Sequence, residues 1–147
     1  MQYFTLLRLI ALLVCGALLT ACSNDDAVPA VTLRYSGVHI DNLAPFVLAY
    51  SSNTASGQHD PIFVASDATS SSKTASVTPV KDQVLEVVAE LRGVSGTSPV
   101  PAAGHLNVEV LVGGQVLRTV QVDAGTPAQP NGYRQAATRI DYAELSR

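Results

Sequence analysis

The chain has 147 residues, with nine Lys and Arg against twelve Asp and Glu, which gives a formal net charge of −3. This slightly acidic balance argues against a nucleic-acid-binding groove, because such a groove needs clustered cations to replace the counterions of the phosphates. The length fits one small domain. No apolar run of membrane-spanning length occurs beyond the N-terminal segment, which excludes a protein with several membrane spans.

The N-terminal segment has the pattern of a secretory signal. Arg8 provides a positive charge, and an apolar stretch of the usual length follows from Leu9 to Leu19. The segment ends in the tetrapeptide Leu19-Thr20-Ala21-Cys22. The alternative is an uncleaved membrane anchor with an accidental cysteine, but so short an apolar run barely spans a bilayer.

The tetrapeptide resembles the lipobox of bacterial lipoprotein signal peptides, in which an aliphatic residue and two small residues precede an invariant cysteine. The resemblance implies that the Cys22 sulfur carries a diacylglycerol and that the chain is cleaved between Ala21 and Cys22. Residues 1–21 are then the signal peptide, 22–30 the lipidated cysteine with a linker, and 31–147 the folded domain. Since each buried CH₂ contributes about 0.8 kcal/mol, two or three acyl chains anchor such a protein essentially permanently.

The residues after Cys22 bear on localisation. In proteobacterial lipoproteins the residue after the acylated cysteine sorts the protein, and by that resemblance Ser23 favours the outer membrane over the inner. Asn24-Asp25-Asp26 resembles the acidic export signals of surface-exposed lipoproteins in Bacteroidetes, and the alternative is a plain acidic tether. The predicted location is the cell envelope, with the membrane bound through the lipid on Cys22.

Cysteine usage restricts the chemistry of the mature domain. The sequence has two cysteines, of which Cys15 leaves with the signal peptide and Cys22 is modified by lipid. The domain therefore has no thiol for a disulfide, a redox pair or cysteine catalysis, and its stability depends on its core.

Short apolar runs separated by turn residues predict β-strands in the mature chain. Residues 31–36 alternate between apolar and polar, as in a half-buried strand, and two further runs follow at 45–50 and 61–65. The intervening segments 51–60 and 66–76 have the Ser- and Thr-rich composition of loops.

The segment from Gln83 to Arg92 fits two patterns. A helical face would gather Val84, Val87, Val88 and Leu91, with Gly93 as a stop signal. Period two instead places Leu85, Val87, Ala89 and Leu91 on one face, with Glu86 and Glu90 on a solvent-facing side. Three valines in ten residues favour the strand.

Residues 106–122 predict a β-hairpin around Gly113-Gly114. A two-residue loop would set Glu109 opposite Arg118. A three-residue loop would gather Leu106, Val108, Val110, Val116, Val120 and Val122 on one face. Core burial contributes more than one exposed ion pair, so the second register is preferred.

Together with a last edge strand at 137–142, these segments predict an all-β fold, a small antiparallel β-sandwich of six to seven strands. The strand near Leu85, the following Gly/Pro/Ser-rich loop and the Val- and Gly-rich hairpin resemble MmpS-like small accessory proteins and related bacteroidetal lipoproteins, over about residues 31–125. The Cys pair that some of those proteins carry is missing here.

The sequence contains no motif that predicts catalysis, a cofactor or a metal. His39, His59 and His105 have no partner at metal-ligand spacing, and the adjacent pair His59-Asp60 would point to opposite faces of a strand, which favours solvated loop histidines. Ser, His and Asp are all present without a nucleophile-elbow motif, so a hydrolase with a dispersed triad is only a third alternative.

Aromatic residues give the remaining hint of function. Tyr35, Phe46 and Phe63 lie in apolar runs and are predicted in the core, whereas Tyr133 lies beside Arg134 in a Pro- and Gly-rich loop. The predicted function is a non-catalytic accessory or interaction module of the bacterial envelope, with an envelope protein as its partner. The alternative is a small-molecule or glycan-binding lipoprotein that uses Tyr133 and Arg134.

Overall fold

The computed structural model describes residues 29–93 and 99–146, which hold eight β-strands and one short helix. The elements are β1 (Val31–Val38), β2 (Leu43–Asn53), β3 (Gln58–Ala65), β4 (Lys73–Val77), β5 (Val84–Gly93), β6 (His105–Val112), β7 (Gln115–Asp123), β8 (Arg134–Asp141) and α1 (Tyr142–Leu145). The predicted signal peptide and lipobox, with Ala21 and Cys22, lie outside the described residues.

The strands form two four-stranded sheets that pack against each other. One sheet has the order β4-β1-β6-β7 and the other the order β3-β2-β5-β8, and every pairing is antiparallel. Buried hydrophobic residues of both sheets form one core. The predicted all-β sandwich is confirmed.

Strand β4 lies in a segment that was predicted to be a loop, so the described residues contain eight strands rather than six or seven. Its sequence, Lys-Thr-Ala-Ser-Val, buries only Val77 fully. The segment is extended because β1 offers it a row of backbone hydrogen-bonding groups, from Val31 opposite Val77 to Tyr35 opposite Lys73. An edge strand held by its neighbour needs little hydrophobic signal of its own.

Every second residue of the central strands is buried in the core, as the sequence predicted. In β1, Val31, Leu33 and Tyr35 are buried, and the residues between them are half-buried. The ambiguous segment is strand β5, not a helix, and it buries Leu85, Val87, Ala89 and Leu91 against the opposite sheet. Strand β8 begins at Arg134, three residues earlier than predicted, and Tyr142 starts α1 instead of ending the strand.

The β6–β7 hairpin combines features of both predicted registers. Gly113 and Gly114 form a two-residue turn and have φ values of 57° and 81°, which suit glycine and match the right-handed twist of the strands. A bulge then shifts the register between Val110 and Leu111, so that Val110 lies opposite Arg118. Beyond the bulge, the pairing is therefore that of the three-residue loop.

This bulge corrects two details of the prediction. Val116 lies outside the core, with 47% of its surface exposed, because it is paired next to the turn, before the register shifts. Glu109 lies opposite Thr119 rather than Arg118, and its carboxylate pairs with Arg34 of β1, with Nε and Oε2 2.5 Å apart.

The segment 51–60 is a tight hairpin rather than a loop. Strand β2 continues to Asn53 and β3 begins at Gln58, so only four residues form the turn. Ser51 and Ser52 are buried because other side chains satisfy their hydroxyls: Ser51 Oγ donates to Gln83 Oε1, at 2.7 Å. Polar composition predicted a loop here, but hydrogen-bonded serines are compatible with a buried strand end.

The connection from β3 to β4 crosses between the sheets and is fixed by a polar cluster. Tyr35 is buried against Phe63, with ring centroids 6.2 Å apart, and its hydroxyl donates to Asp67 Oδ1, at 3.2 Å. Lys73 Nζ donates to Asp67 Oδ2, at 2.6 Å. The hydrogen bond from Lys73 lowers the pKa of Asp67, while burial raises the pKa of the Tyr35 hydroxyl.

The lowered pKa of Asp67 predicts a loss of stability in acid. Because the folded-state pKa lies below the unfolded value of about 3.9, the contribution of Asp67 is complete above that value and disappears as pH falls through the folded pKa. We expect the urea midpoint to fall less between about pH 7 and pH 3 in Asp67→Asn than in the wild type. An identical fall in both proteins would contradict this assignment.

The chain enters the sandwich at Val31, and we call this side the linker end. Val31 is paired with Val77 and with Val112. Residues 78–83 connect β4 directly to Val84, so the first residues of β5 also lie at the linker end. The opposite side, where β5 ends and where β2 and β8 begin, is the distal end. Eight-residue strands at about 3.3 Å per residue separate the two ends by roughly 25 Å.

Helix α1 closes the sandwich at the linker end. Leu145 is buried in the core, and Arg118 Nη2 donates to Glu144 Oε2, at 2.5 Å, which ties β7 to the helix. Glu144 also bonds the backbone of Asp141 in a capping box, so the short helix begins where β8 ends.

Candidate functional site

The side of the β3-β2-β5-β8 sheet that faces away from the core carries the richest set of chemical groups, and we call it the outer face. Its residues alternate with the core residues along each strand. The members used below are Phe46, Leu48 and Tyr50 of β2, Glu86, Val88, Glu90 and Arg92 of β5, and Gln135, Ala137 and Arg139 of β8.

A guanidinium held between two aromatic rings lies at the distal end of this face. The Cζ atom of Arg92 is 4.1 Å from the centroid of the Phe46 ring and 4.8 Å from that of the Tyr133 ring. Its Nε donates to Glu90 Oε1. We call these four residues the Arg92 cluster. Both ring distances are within the range of cation–π attraction.

Two members of the cluster correct the sequence interpretation. Phe46 was predicted in the core, but Val47 takes the inward position of β2, and the alternation places Phe46 on the outer face opposite Glu90. Glu90 was predicted to face solvent, yet only 7% of its surface is exposed. Arg92 pairs with it, and Phe46 and Gln135 lie opposite it on the two neighbouring strands, an environment that period-two patterning cannot show.

Charge is balanced inside the cluster. The hydrogen bond that Arg92 donates to Glu90 raises the pKa of Arg92, and this effect outweighs the opposing effect of desolvation. Tyr133 and Tyr50 are close enough to raise that pKa further. Arg92 is therefore a permanent cation beside a buried carboxylate, and the pair carries no net charge.

The structure separates the two residues that the sequence proposed as a ligand pair. Tyr133 joins the Arg92 cluster through its ring, and its carbonyl accepts from Gln129 N, at 2.7 Å. Arg134 is paired with Leu91 in the sheet and donates to the carbonyl oxygen of Thr126. Arg134 thus fastens the loop that carries Tyr133, and Arg92 is the arginine that contacts the tyrosine ring.

A second polar cluster lies at the linker end of the same face. His59 Nδ1 is 2.8 Å from Ser52 Oγ and 3.6 Å from Glu86 Oε2, and Arg139 Nε is 3.8 Å from the same Glu86 oxygen. His59 was predicted to be a solvated loop residue; its side chain is 52% exposed, but the residue lies in β3 and has partners on β2 and β5. The residue types are those of a Ser-His-Glu hydrolase.

The geometry of this second cluster differs from that of a catalytic triad. A triad needs the serine on one imidazole nitrogen and the carboxylate on the other, whereas Ser52 and Glu86 both approach Nδ1 of His59. Ser52 is also only 1% exposed, so a substrate carbonyl cannot reach its hydroxyl in this conformation. The arrangement ties the β2–β3 hairpin to β5.

Other candidate chemistry is limited in the part of the chain that the structure describes. Within residues 29–93 and 99–146, no three His, Cys, Asp or Glu side chains lie close enough to hold a metal ion. His39 has a positive φ of 51° in the β1–β2 turn, and His105 contacts the carbonyl of Ala103. No helix in these ranges has the length and apolarity to cross a bilayer.

No protein-family model and no curated protein matches the sequence. Among solved structures, the chain is similar to the crystal structure of a domain of unknown function, DUF4425, from Bacteroides vulgatus. The sequences are 8% identical, the TM-score is 0.48, and the match covers 78% of this chain and 96% of that one.

Proposed function

We propose that the protein is a lipid-anchored, non-catalytic interaction module of the bacterial cell envelope, whose binding surface is the distal part of the outer face. The observation that carries this proposal is the position of the Arg92 cluster. It lies at the distal end, whereas the chain enters at the linker end through Pro29 and Ala30. A membrane anchor before β1 would direct the cluster away from the lipid.

The length of the predicted tether supports this arrangement. Cys22 lies eight residues before Ala30, and eight extended residues span at most about 29 Å. A lipid on Cys22 would keep the linker end near the membrane, while the distal end would project further by the length of the strands. The Arg92 cluster would then meet partners in the envelope space or, if the protein is exported, outside the cell.

Two observations favour binding over catalysis. The Ser52-His59-Glu86 group has the wrong geometry for a triad, and the Arg92 cluster pairs its charged groups with each other. The alternative function, a glycan-binding lipoprotein, is favoured by the aromatic rings of the same cluster. The outer membrane, favoured by Ser23, is the membrane we propose.

The anchor can be tested by metabolic labelling in a bacterial host. We expect Cys22→Ser to lose a fatty-acid analogue completely and to persist as an uncleaved precursor, because the thiol is the acceptor of the lipid. Cys15→Ser is the matched control: it removes the other cysteine from the apolar stretch and should be labelled and processed as the wild type is. Label on Cys22→Ser at the processed mass would refute the lipobox assignment.

A further inference from the structure

We propose that the Arg92 cluster is a binding site for a neutral saccharide. This inference rests on the alternative given under the proposed function, a glycan-binding lipoprotein, and names the ligand class of the same surface, but it does not depend on the lipid anchor. It rests on the charge balance of the cluster, on its aromatic rings and on the polar and apolar groups beside them.

Charge balance selects an uncharged ligand. Glu90 already neutralises Arg92, so the net charge of the pair attracts neither an anion nor a cation. Arg92 nevertheless keeps 36% of its side chain exposed, and a guanidinium has more N–H donors than the one Nε that Glu90 occupies. A hydroxyl group can accept from such a donor without bringing a net charge.

The polar neighbours extend the same chemistry across the face. Gln135 lies directly opposite Glu90 on β8 and is exposed, so its amide adds both a donor and an acceptor. A sugar hydroxyl both donates and accepts hydrogen bonds. A sugar therefore matches a surface that has donors and acceptors better than a ligand that has only donors or only acceptors.

The rings and the apolar row provide the surface for the sugar ring itself. Tyr133 and Phe46 are half-buried and contact Arg92, which reduces the ordering that ligand binding would require of them. In the next row of the face, the half-buried Leu48 lies beside Val64, which keeps 59% of its surface exposed, whereas Val88 on its other side is buried. The C–H groups of a pyranose would pack on Val64 and on the parts of the two rings that Arg92 does not cover, while its hydroxyls reach the polar groups.

The experiment is calorimetric titration of the full chain, purified in detergent, with cellohexaose, maltohexaose, xylohexaose and chitohexaose as probes. We expect at least one of them to bind. Tyr133→Ala should weaken that binding about tenfold through loss of ring contact, and Tyr133→Phe should stay within about twofold of the wild type. Gln135→Ala should weaken it about threefold, as the loss of one hydrogen bond predicts.

Tyr142→Ala is the matched control, because it removes a half-buried tyrosine at the linker end. It should bind as the wild type does, and urea midpoints would confirm that each variant is folded. The proposal is wrong if the folded wild type binds none of the four probes at millimolar concentration, or if Tyr133→Ala and Tyr142→Ala bind equally well.

Two further outcomes would overturn the ligand class. Binding of oligogalacturonate without binding of the neutral probes would show that the site takes an anion. Binding of an alanine-rich pentapeptide alone, with the same dependence on Tyr133, would show a peptide site. Because the titration needs no membrane, its failure leaves the lipid anchor untouched, and a failure of Cys22 labelling leaves the saccharide site untouched.

Discussion

Replacing Val110 by Asp is expected to unfold the domain at neutral pH. Val110 lies in the middle of β6, is fully buried, and belongs to the core between the two sheets. A carboxylate at this position would be desolvated, and the arginine opposite it, Arg118, is already paired with Glu144, so the burial costs several kcal/mol. That penalty is comparable to the total stability of a small domain, about 5 to 15 kcal/mol.

The neighbouring residue provides the control. Glu109 points to the opposite side of the same strand, where it pairs with Arg34, and both side chains are partly exposed. Glu109→Ala should lower the free energy of unfolding by less than about 1 kcal/mol, because exposed ion pairs contribute little. Urea melts of the two variants measure the contrast. Similar midpoints would contradict the one-sided burial of β6.

The elements that the sequence predicted correctly are those whose own residues determine which side is buried. In β1, β5 and β6, an apolar residue at every second position must face the core, since a shift by one residue would expose the whole set. The same reasoning preferred the register that pairs Val108 with Val120. This reasoning did not predict the bulge, which places Val116 outside the core.

The elements that the sequence missed depend on partners elsewhere in the chain. The β4 segment from Lys73 to Val77 is extended because β1 pairs with it, and the buried end of β2 depends on Gln83 and His59 to satisfy its serines. Amino-acid composition shows neither the strand pairing nor the side-chain hydrogen bonds. Ser- and Thr-rich stretches therefore predict loops even where a neighbouring strand or side chain makes them part of a sheet.

The candidate site, too, could be predicted from the sequence only in part. Tyr133 could be picked out because a tyrosine in a Pro- and Gly-rich loop is seldom part of a core, and it does belong to the cluster. Arg134 was chosen with it for adjacency in sequence. Arg92 could not be identified, since its two rings come from segments 46 residues before it and 41 residues after it, and only the strand order β2-β5-β8 brings them together.

Removal of the Arg92 guanidinium is expected to have the second large effect on stability. Arg92→Met keeps a long apolar stem that can pack between Phe46 and Tyr133, but it leaves the nearly buried Glu90 without its cation. Breaking a buried ion pair on one side costs about 3 to 5 kcal/mol, and since Arg92 is partly exposed we expect a loss of about 2 to 3 kcal/mol in urea melts.

Two further variants separate the loss of the pair from the loss of an arginine. Arg139→Met removes the other arginine of the same face, whose contact with Glu86 is long and exposed, and should change stability by less than about 0.5 kcal/mol. The double variant Glu90→Leu/Arg92→Met removes both charges and should recover most of the loss, because apolar residues can replace a buried pair with little net effect. If the double variant is instead no more stable than Arg92→Met, the unpaired carboxylate is not the cause, and Arg92 stabilises the distal end through its contacts with the two rings.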